Sequence, residues 1–173
     1  MNTKSLVSLS LLVGMGAVLH TVMPGLFLGM KPDMMLLMMF LGILLFPSAK
    51  NVLLVGMVTG VISGLTTTFP GGLIPNLIDK PITAFVFYGM ILLLAKYTHN
   101  AGSKALLTAV GTLISGGVFL TSAQLLVGLP GPFTALFATV VLPAAVINTI
   151  AMLVIYPIVQ SIFKRSRLAE QTT

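Results

Sequence analysis

Proline, glycine and isolated basic residues cut this sequence into six apolar stretches, most of them approaching the roughly 20 residues a helix needs to cross the hydrocarbon core of a bilayer. Hydrophobic residues make up 57% of the chain and charged residues only 7%. That is too little charge to cover a soluble surface, so the apolar side chains must face lipid. The expected fold class is an all-α integral membrane protein, a compact bundle of six transmembrane helices forming a single domain over residues 1–173. The helices are expected at about 6–23, 33–46, 52–68, 82–96, 104–127 and 133–163. The second is short for a full span, and the sixth is long enough to project past the membrane. The breaks fall at Pro24-Gly25, Pro47, Pro70-Gly71-Gly72, Pro75 and the segment from Gly128 to Pro132. Lys4 ahead of the first apolar run imitates a signal peptide, but no small-x-small cleavage site follows, so a retained first helix is expected.

The net charge of +6 does not point to nucleic acid, because the basic residues stand singly at the ends of apolar stretches. With both termini in the cytoplasm, the inner face holds Lys4, Lys50, Lys96, Lys104, Lys164, Arg165 and Arg167, and the outer face only Lys31 and Lys80. The positive-inside rule selects that orientation. Three loops rich in glycine and proline, at 24–32, 69–81 and 128–132, then lie outside.

These loops carry the candidate ligand groups. Lys31-Pro32-Asp33 is expected to open helix 2 and Asp79-Lys80-Pro81 to open helix 4, with each proline in a first turn where its missing N–H is not needed. A helix N-terminus with a lysine suits a carboxylate, and an aspartate suits an ammonium, so the two clusters together suit a zwitterion. Ordinary dipole pairing and snorkelling explain either cluster alone; their shared face favours binding. Asn76 adds a polar group beside them. Gln124 and Asn148, amides inside expected spans, should face the bundle interior or a cavity, since an unpaired amide in hydrocarbon costs several kcal/mol, roughly. Met34 and Met38, spaced i, i+4 behind Asp33, and Phe85 with Tyr88 are candidate pocket walls, although packing alone would account for them. His20 reads as a structural histidine. The run Gly56-xxx-Gly60-xxx-Gly64 makes a small ridge for packing within the bundle, and Ser10-xxx-Gly14 on terminal helix 1 is the better surface for another protein.

No catalytic or cofactor motif is present. Gly102-Ser103-Lys104 has the letters of a phosphate loop in the wrong order, HExxH is missing, and the chain has no cysteine. Neither an enzyme nor a metal or cofactor site is expected.

Six short helices, tiny loops and a basic cytoplasmic face resemble the substrate-binding S components of energy-coupling factor transporters. More narrowly, the segment Gly29-Met30-Lys31-Pro32-Asp33-Met34-Met35-Leu36-Leu37-Met38-Met39-Phe40 resembles the bacterial tryptophan transport proteins of the TrpP family, as does Ile74-Pro75-Asn76-Leu77-Ile78-Asp79-Lys80-Pro81. The resemblance covers nearly the whole chain. It implies capture of tryptophan from outside by a subunit that docks on a transmembrane coupling subunit driven by ATPase subunits. In such proteins the first, third and fifth loops and the outer halves of helices 4 to 6 surround the substrate. The family's small-residue face on helix 1 corresponds here to Ser10 and Gly14. The rivals are an autonomous secondary amino-acid transporter, disfavoured because ionisable residues lie near span ends, and a non-transport membrane scaffold.

Overall fold

The computed structural model describes residues 3–23, 33–94 and 100–171, with side chains as far as Ile162. Among the described residues all regular structure is helical: α1 (Thr3–Val22), α2 (Met34–Leu45), α3 (Ala49–Thr66), α4 (Leu73–Leu93), α5 (Ala101–Leu126), and a final run of α6 (Phe133–Leu136), a π-helical turn (Phe137–Val141) and α7 (Leu142–Gln171). Five spans are long and apolar enough to cross a membrane, at Thr3–Val22, Ala49–Thr66, Leu73–Leu93, Ala101–Leu126 and Phe133–Ile162. Their outward residues, such as Leu11, Val22, Leu93 and Leu125, are exposed aliphatics that suit lipid.

The short helix α2 sits at the centre. Every residue from Met34 to Ile43 is buried, as befits a helix that is apolar all round. At 1.5 Å per residue its 12 residues reach only about 18 Å, so protein rather than lipid surrounds it. All six residues of the methionine-rich run, Met34 to Met39, pack in this core. Phe40 stacks on Phe87 of α4 with ring centroids 4.0 Å apart, and Gly111 of α5 leaves room for both rings. Side-chain oxygens cap three helices: Asp33 accepts from Leu36 N–H, Ser48 from Asn51 N–H, and Asn100 from Ser103 N–H.

Helices α1, α3 and α5 each start three residues earlier than the sequence expectation, at Thr3, Ala49 and Ala101, and the starts of α4 and α2 differ in ways that bear on the charged residues. The helix expected from Ile82 begins at Leu73, nine residues earlier. Pro75 falls in its first turn, where N–H groups have no intrahelical partner, so it does not break the helix. Pro81 lies in the interior and withholds one N–H, which a membrane helix packed against a neighbour tolerates. Asp79 and Lys80 therefore stand well inside α4 rather than at its mouth. Asp33 is the N-cap of α2, so the helix itself starts one residue later than expected. Lys31 lies outside the described residues. At the other end of the chain, the π-helical turn just before Pro143 has a local cause: the ring of Pro143 crowds the carbonyl four residues back and supplies no N–H to it.

The position of α4 is set by the glycine ridge of α3. A Cβ placed on Gly56 would stand 3.0 Å from Ala84 Cβ and 3.2 Å from Pro81 Cα; one on Gly60 would stand 3.1 Å from Asn76 O. At Gly64 it would meet Leu73 Cδ1 at 2.6 Å. Packing within the bundle is thus the use of this ridge. Gly14 on α1 is the opposite case, with nothing within 4 Å of its Cβ position and with Ser10 exposed on the same helix. Gly60→Leu is expected to destabilise the folded protein by about 1–3 kcal/mol or more through overpacking, whereas Gly14→Leu should stay within about 0.5 kcal/mol of the parent. Thermal unfolding of both variants in detergent checks this; equal melting temperatures would show that the close approach of α3 and α4 is dispensable.

Candidate functional site

One end of the bundle holds a cavity of about 120 Å³. Its lining comes from the C-terminal turn of α1, the cap of α2, the end of α3, the first half of α4, the second half of α5, the π-helical turn and the start of α7. These are the helix ends next to the segments expected outside, of which the second is a connection of residues 67–72 only, because α4 begins at Leu73. For scale, an apolar cavity of roughly 150 Å³ admits one benzene ring.

The polar side of the cavity is a charge cluster built across three helices. Lys80 Nζ lies 2.6 Å from Asp33 Oδ2 and 2.6 Å from Asp79 Oδ2. Its remaining proton has Ser115 Oγ at 3.5 Å. Asp79 is fully buried and fully engaged: Thr83 donates to Oδ1 at 2.7 Å, and Ser115 donates to Oδ2 at 2.8 Å beside the lysine. Asp33 is different. Its side chain keeps 22% of its surface exposed, its Oδ1 accepts from Leu36 N–H at 3.0 Å, and His20 Nδ1 stands 3.7 Å away. With His20 neutral, two carboxylates and one ammonium leave the cluster with an excess negative charge, and Asp33 is the carboxylate that keeps exposed surface.

The other side is apolar. Phe69, Phe119, Leu120, Val140 and Val141 line it, and Phe69 meets Phe119 edge to face with centroids 5.4 Å apart. Val141 of the π-helical turn approaches α5 at Gly116, where a Cβ would come within 2.3 Å of Val141 Cγ1. The cavity thus pairs a negative cluster with an aromatic wall, an arrangement suited to an ammonium-bearing aromatic molecule.

Of the candidates taken from the sequence, Asp33, Asn76, Asp79 and Lys80 all line this cavity. The spacing suggested Lys31 with Asp33 and Asp79 with Lys80; the structure also joins the groups crosswise, Lys80 to Asp33. Asn76 donates from Nδ2 to Gly72 O at 2.8 Å, which braces the start of α4. The other candidates fall elsewhere. Met34 and Met38 are buried core residues, with Met38 packed close to Gly16, and they do not line the cavity. Phe85 and Tyr88 lie one to two turns further along α4; Tyr88 packs on the core and Phe85 is exposed. Gln124 is exposed in the last turn of α5, where its amide can reach the polar interface instead of needing an interior partner. Asn148 is fully buried, as expected, and donates to Thr112 Oγ1 at 3.3 Å, one residue behind the cavity wall. His20, read as structural, is a wall residue beside Asp33. No sequence pattern marked Ser63, Ser115, Phe69 or Phe119, which meet only in three dimensions.

Removing one member of a buried ion cluster leaves the others uncompensated. Lys80→Met fits the same space but strands two carboxylates, so it should cost about 3–5 kcal/mol of stability. Thermal or denaturant unfolding in detergent measures this, and an unchanged melting temperature would show that the cluster does not hold α2 to α4.

Residues 2–164 match the family described as Tryptophan transporter TrpP. A "Probable tryptophan transport protein" of Bacillus subtilis is 59% identical over 170 residues, covering 98% of each chain. A protein of Clostridium acetobutylicum with the same description is 42% identical over 156 residues, covering 90% of this chain and 91% of that one. Another from Clostridium perfringens is 38% identical over 176 residues, covering 96% and 97%. No solved structure matches the chain significantly. With its several apolar spans, it is a multi-pass protein of the bacterial plasma membrane. The chain belongs to the tryptophan transporter TrpP family.

Proposed function

We propose that this chain is the membrane-embedded, substrate-binding subunit for tryptophan uptake, taking the amino acid from outside and passing it on with an ATP-driven energy-coupling factor module. The observation that carries the reading is the cavity that faces an excess carboxylate with an aromatic wall. The ligand's ammonium goes to Asp33, the carboxylate of the cluster that keeps exposed surface. Lys80 and Asp79 hold Asp33 in place, with Thr83 and Ser115 fixing Asp79. The indole goes against Phe69 and Phe119. The seven-to-two distribution of basic residues supports an orientation with the cavity end outside and both termini in the cytoplasm. Ser10 and Gly14, exposed on α1 with open space above Gly14, form the surface for the transmembrane coupling subunit, which the ATPase subunits drive.

One observation favours a second reading. Asp79 and Lys80 are buried inside a membrane-spanning helix, a location that self-sufficient ion-coupled carriers also use. Uptake into proteoliposomes separates the two: a binding subunit accumulates tryptophan only with its coupling subunit and ATPases, whereas a carrier does so alone under an ion gradient.

Binding itself is checked on the purified chain in detergent. Calorimetry should show saturable, tryptophan-selective binding over tyrosine, phenylalanine and histidine, and the chain's lack of tryptophan leaves bound-ligand fluorescence as a second readout. Asp33→Asn keeps the shape and the cap acceptor for Leu36 N–H but removes the excess charge. It should weaken tryptophan binding roughly tenfold to a hundredfold, the range for a charge-assisted hydrogen bond. Parental affinity in a folded Asp33→Asn protein would remove Asp33 from the ligand.

A further inference from the structure

Many hydroxyls of the described helices have a committed proton. Thr21, Thr66, Thr108, Thr112, Thr139 and Thr149 each donate to a backbone carbonyl one turn back, and Thr83 and Ser115 donate to Asp79. Ser63 does not. Its residue is 1% exposed, its Oγ is buried, and among the described residues that oxygen has no hydrogen-bond partner. The carbonyls one turn back on α3 offer it the usual bond, yet the side chain lines the cavity instead. A buried hydroxyl left unsatisfied is costly, the more so where no bulk water competes.

The neighbours of Ser63 say which end of a ligand it meets. It stands between Gly60 and Gly64 on the ridge where α4 touches α3. A Cβ on Gly60 would lie 3.1 Å from Asn76 O and 3.5 Å from Lys80 Cβ, so this stretch of α3 runs beside the charged face of α4. Most of the apolar wall comes from elsewhere, from α5, the π-helical turn and Phe69. A ligand whose ammonium sits at Asp33 brings its carboxylate into a cluster that already carries excess negative charge. That carboxylate needs donors. The lysine's protons are directed at Asp33, Asp79 and Ser115, whereas the Ser63 O–H is a buried donor of the cavity wall with no partner among the described residues.

We infer that Ser63 is a specificity-determining residue whose hydroxyl donates a hydrogen bond to the α-carboxylate of the bound amino acid. The inference rests on the proposed binding of tryptophan in this cavity. Thr59, one turn earlier on α3, is the internal control: its hydroxyl is equally buried and also without a partner, but it does not line the cavity.

The experiment compares wild type, Ser63→Ala and Thr59→Val for binding of tryptophan, 1-methyltryptophan and tryptamine in detergent, with thermal unfolding of each protein. Ser63→Ala should weaken tryptophan and 1-methyltryptophan alike, roughly tenfold to a hundredfold, because both keep the carboxylate. Its affinity for tryptamine, which lacks the carboxylate, should match that of the wild type, and its melting temperature should hold or rise, since an unsatisfied group has been removed. Thr59→Val should leave the affinity for all three ligands as in the wild type. Wild-type affinity for tryptophan in Ser63→Ala overturns the inference, as does an effect that vanishes with 1-methyltryptophan, which would place the hydroxyl on the indole N–H. Equal weakening of tryptamine and tryptophan also overturns it. Failure of the wild-type protein to bind tryptophan at all would instead sink the proposed function, and this inference with it.

Discussion

The Lys80 ammonium, buried between carboxylates from two different helices, is the interaction around which the rest of this bundle is arranged. A lone ammonium in such surroundings costs several kcal/mol, so its position is tolerable only while Asp33 and Asp79 both stay within 2.6 Å. Asp33 caps α2 and Asp79 belongs to α4, so the lysine fixes the end of the central helix against the side of a spanning one. Ser115 extends the same network to α5. Buried ion clusters seldom add net stability over an apolar core. What this one supplies is a defined placement of polar groups at one end of a bundle otherwise packed by apolar side chains, which are poor at fixing a single register.

That placement depends on how closely α4 approaches α3. With a side chain larger than hydrogen at Gly56, Gly60 or Gly64, the helix carrying Asp79 and Lys80 would be displaced outward. Without a hydrophobic force between helices in lipid, close van der Waals contact of this kind is what holds them together. The two prolines of α4 fit the same picture. Pro75 sits where no N–H is needed, and Pro81 rests against Gly56, so the helix continues through both and carries its charged residues inward.

The fold was legible in the sequence because hydropathy, breakers and charge act locally. The six helices and the packing role of the α3 glycines follow from such patterns. The site was legible only in part. Asp33, Asn76, Asp79 and Lys80 stood out because charge and amide groups are rare in so apolar a chain. The aromatic wall did not, since Phe69 and Phe119 are two among 10 phenylalanines and differ from the others only in where the fold brings them. Gln124 misled for a related reason: an amide near a helix end reaches the interface as readily as the interior, and periodicity does not separate the two. The start of α4 was misplaced because proline was read as a break, when its effect depends on whether the neighbouring carbonyls and N–H groups already have partners.

On the proposed reading, charge balance links the cavity to its ligand. With His20 neutral, two carboxylates around one ammonium, in a region shielded from water, leave a charge that solvent screens poorly. An incoming ammonium neutralises that excess, while its carboxylate must then be met by neutral donors rather than by another cation. A zwitterion is therefore favoured over a simple amine or a simple acid: the amine lacks the second contact, and the acid adds charge to a cluster already negative. The aromatic wall then chooses among zwitterions by area, since a larger ring displaces more surface from water and meets more of Phe69 and Phe119. On that reading, preference for a large aromatic amino acid follows from the sum of these two constraints, neither of which would produce it alone.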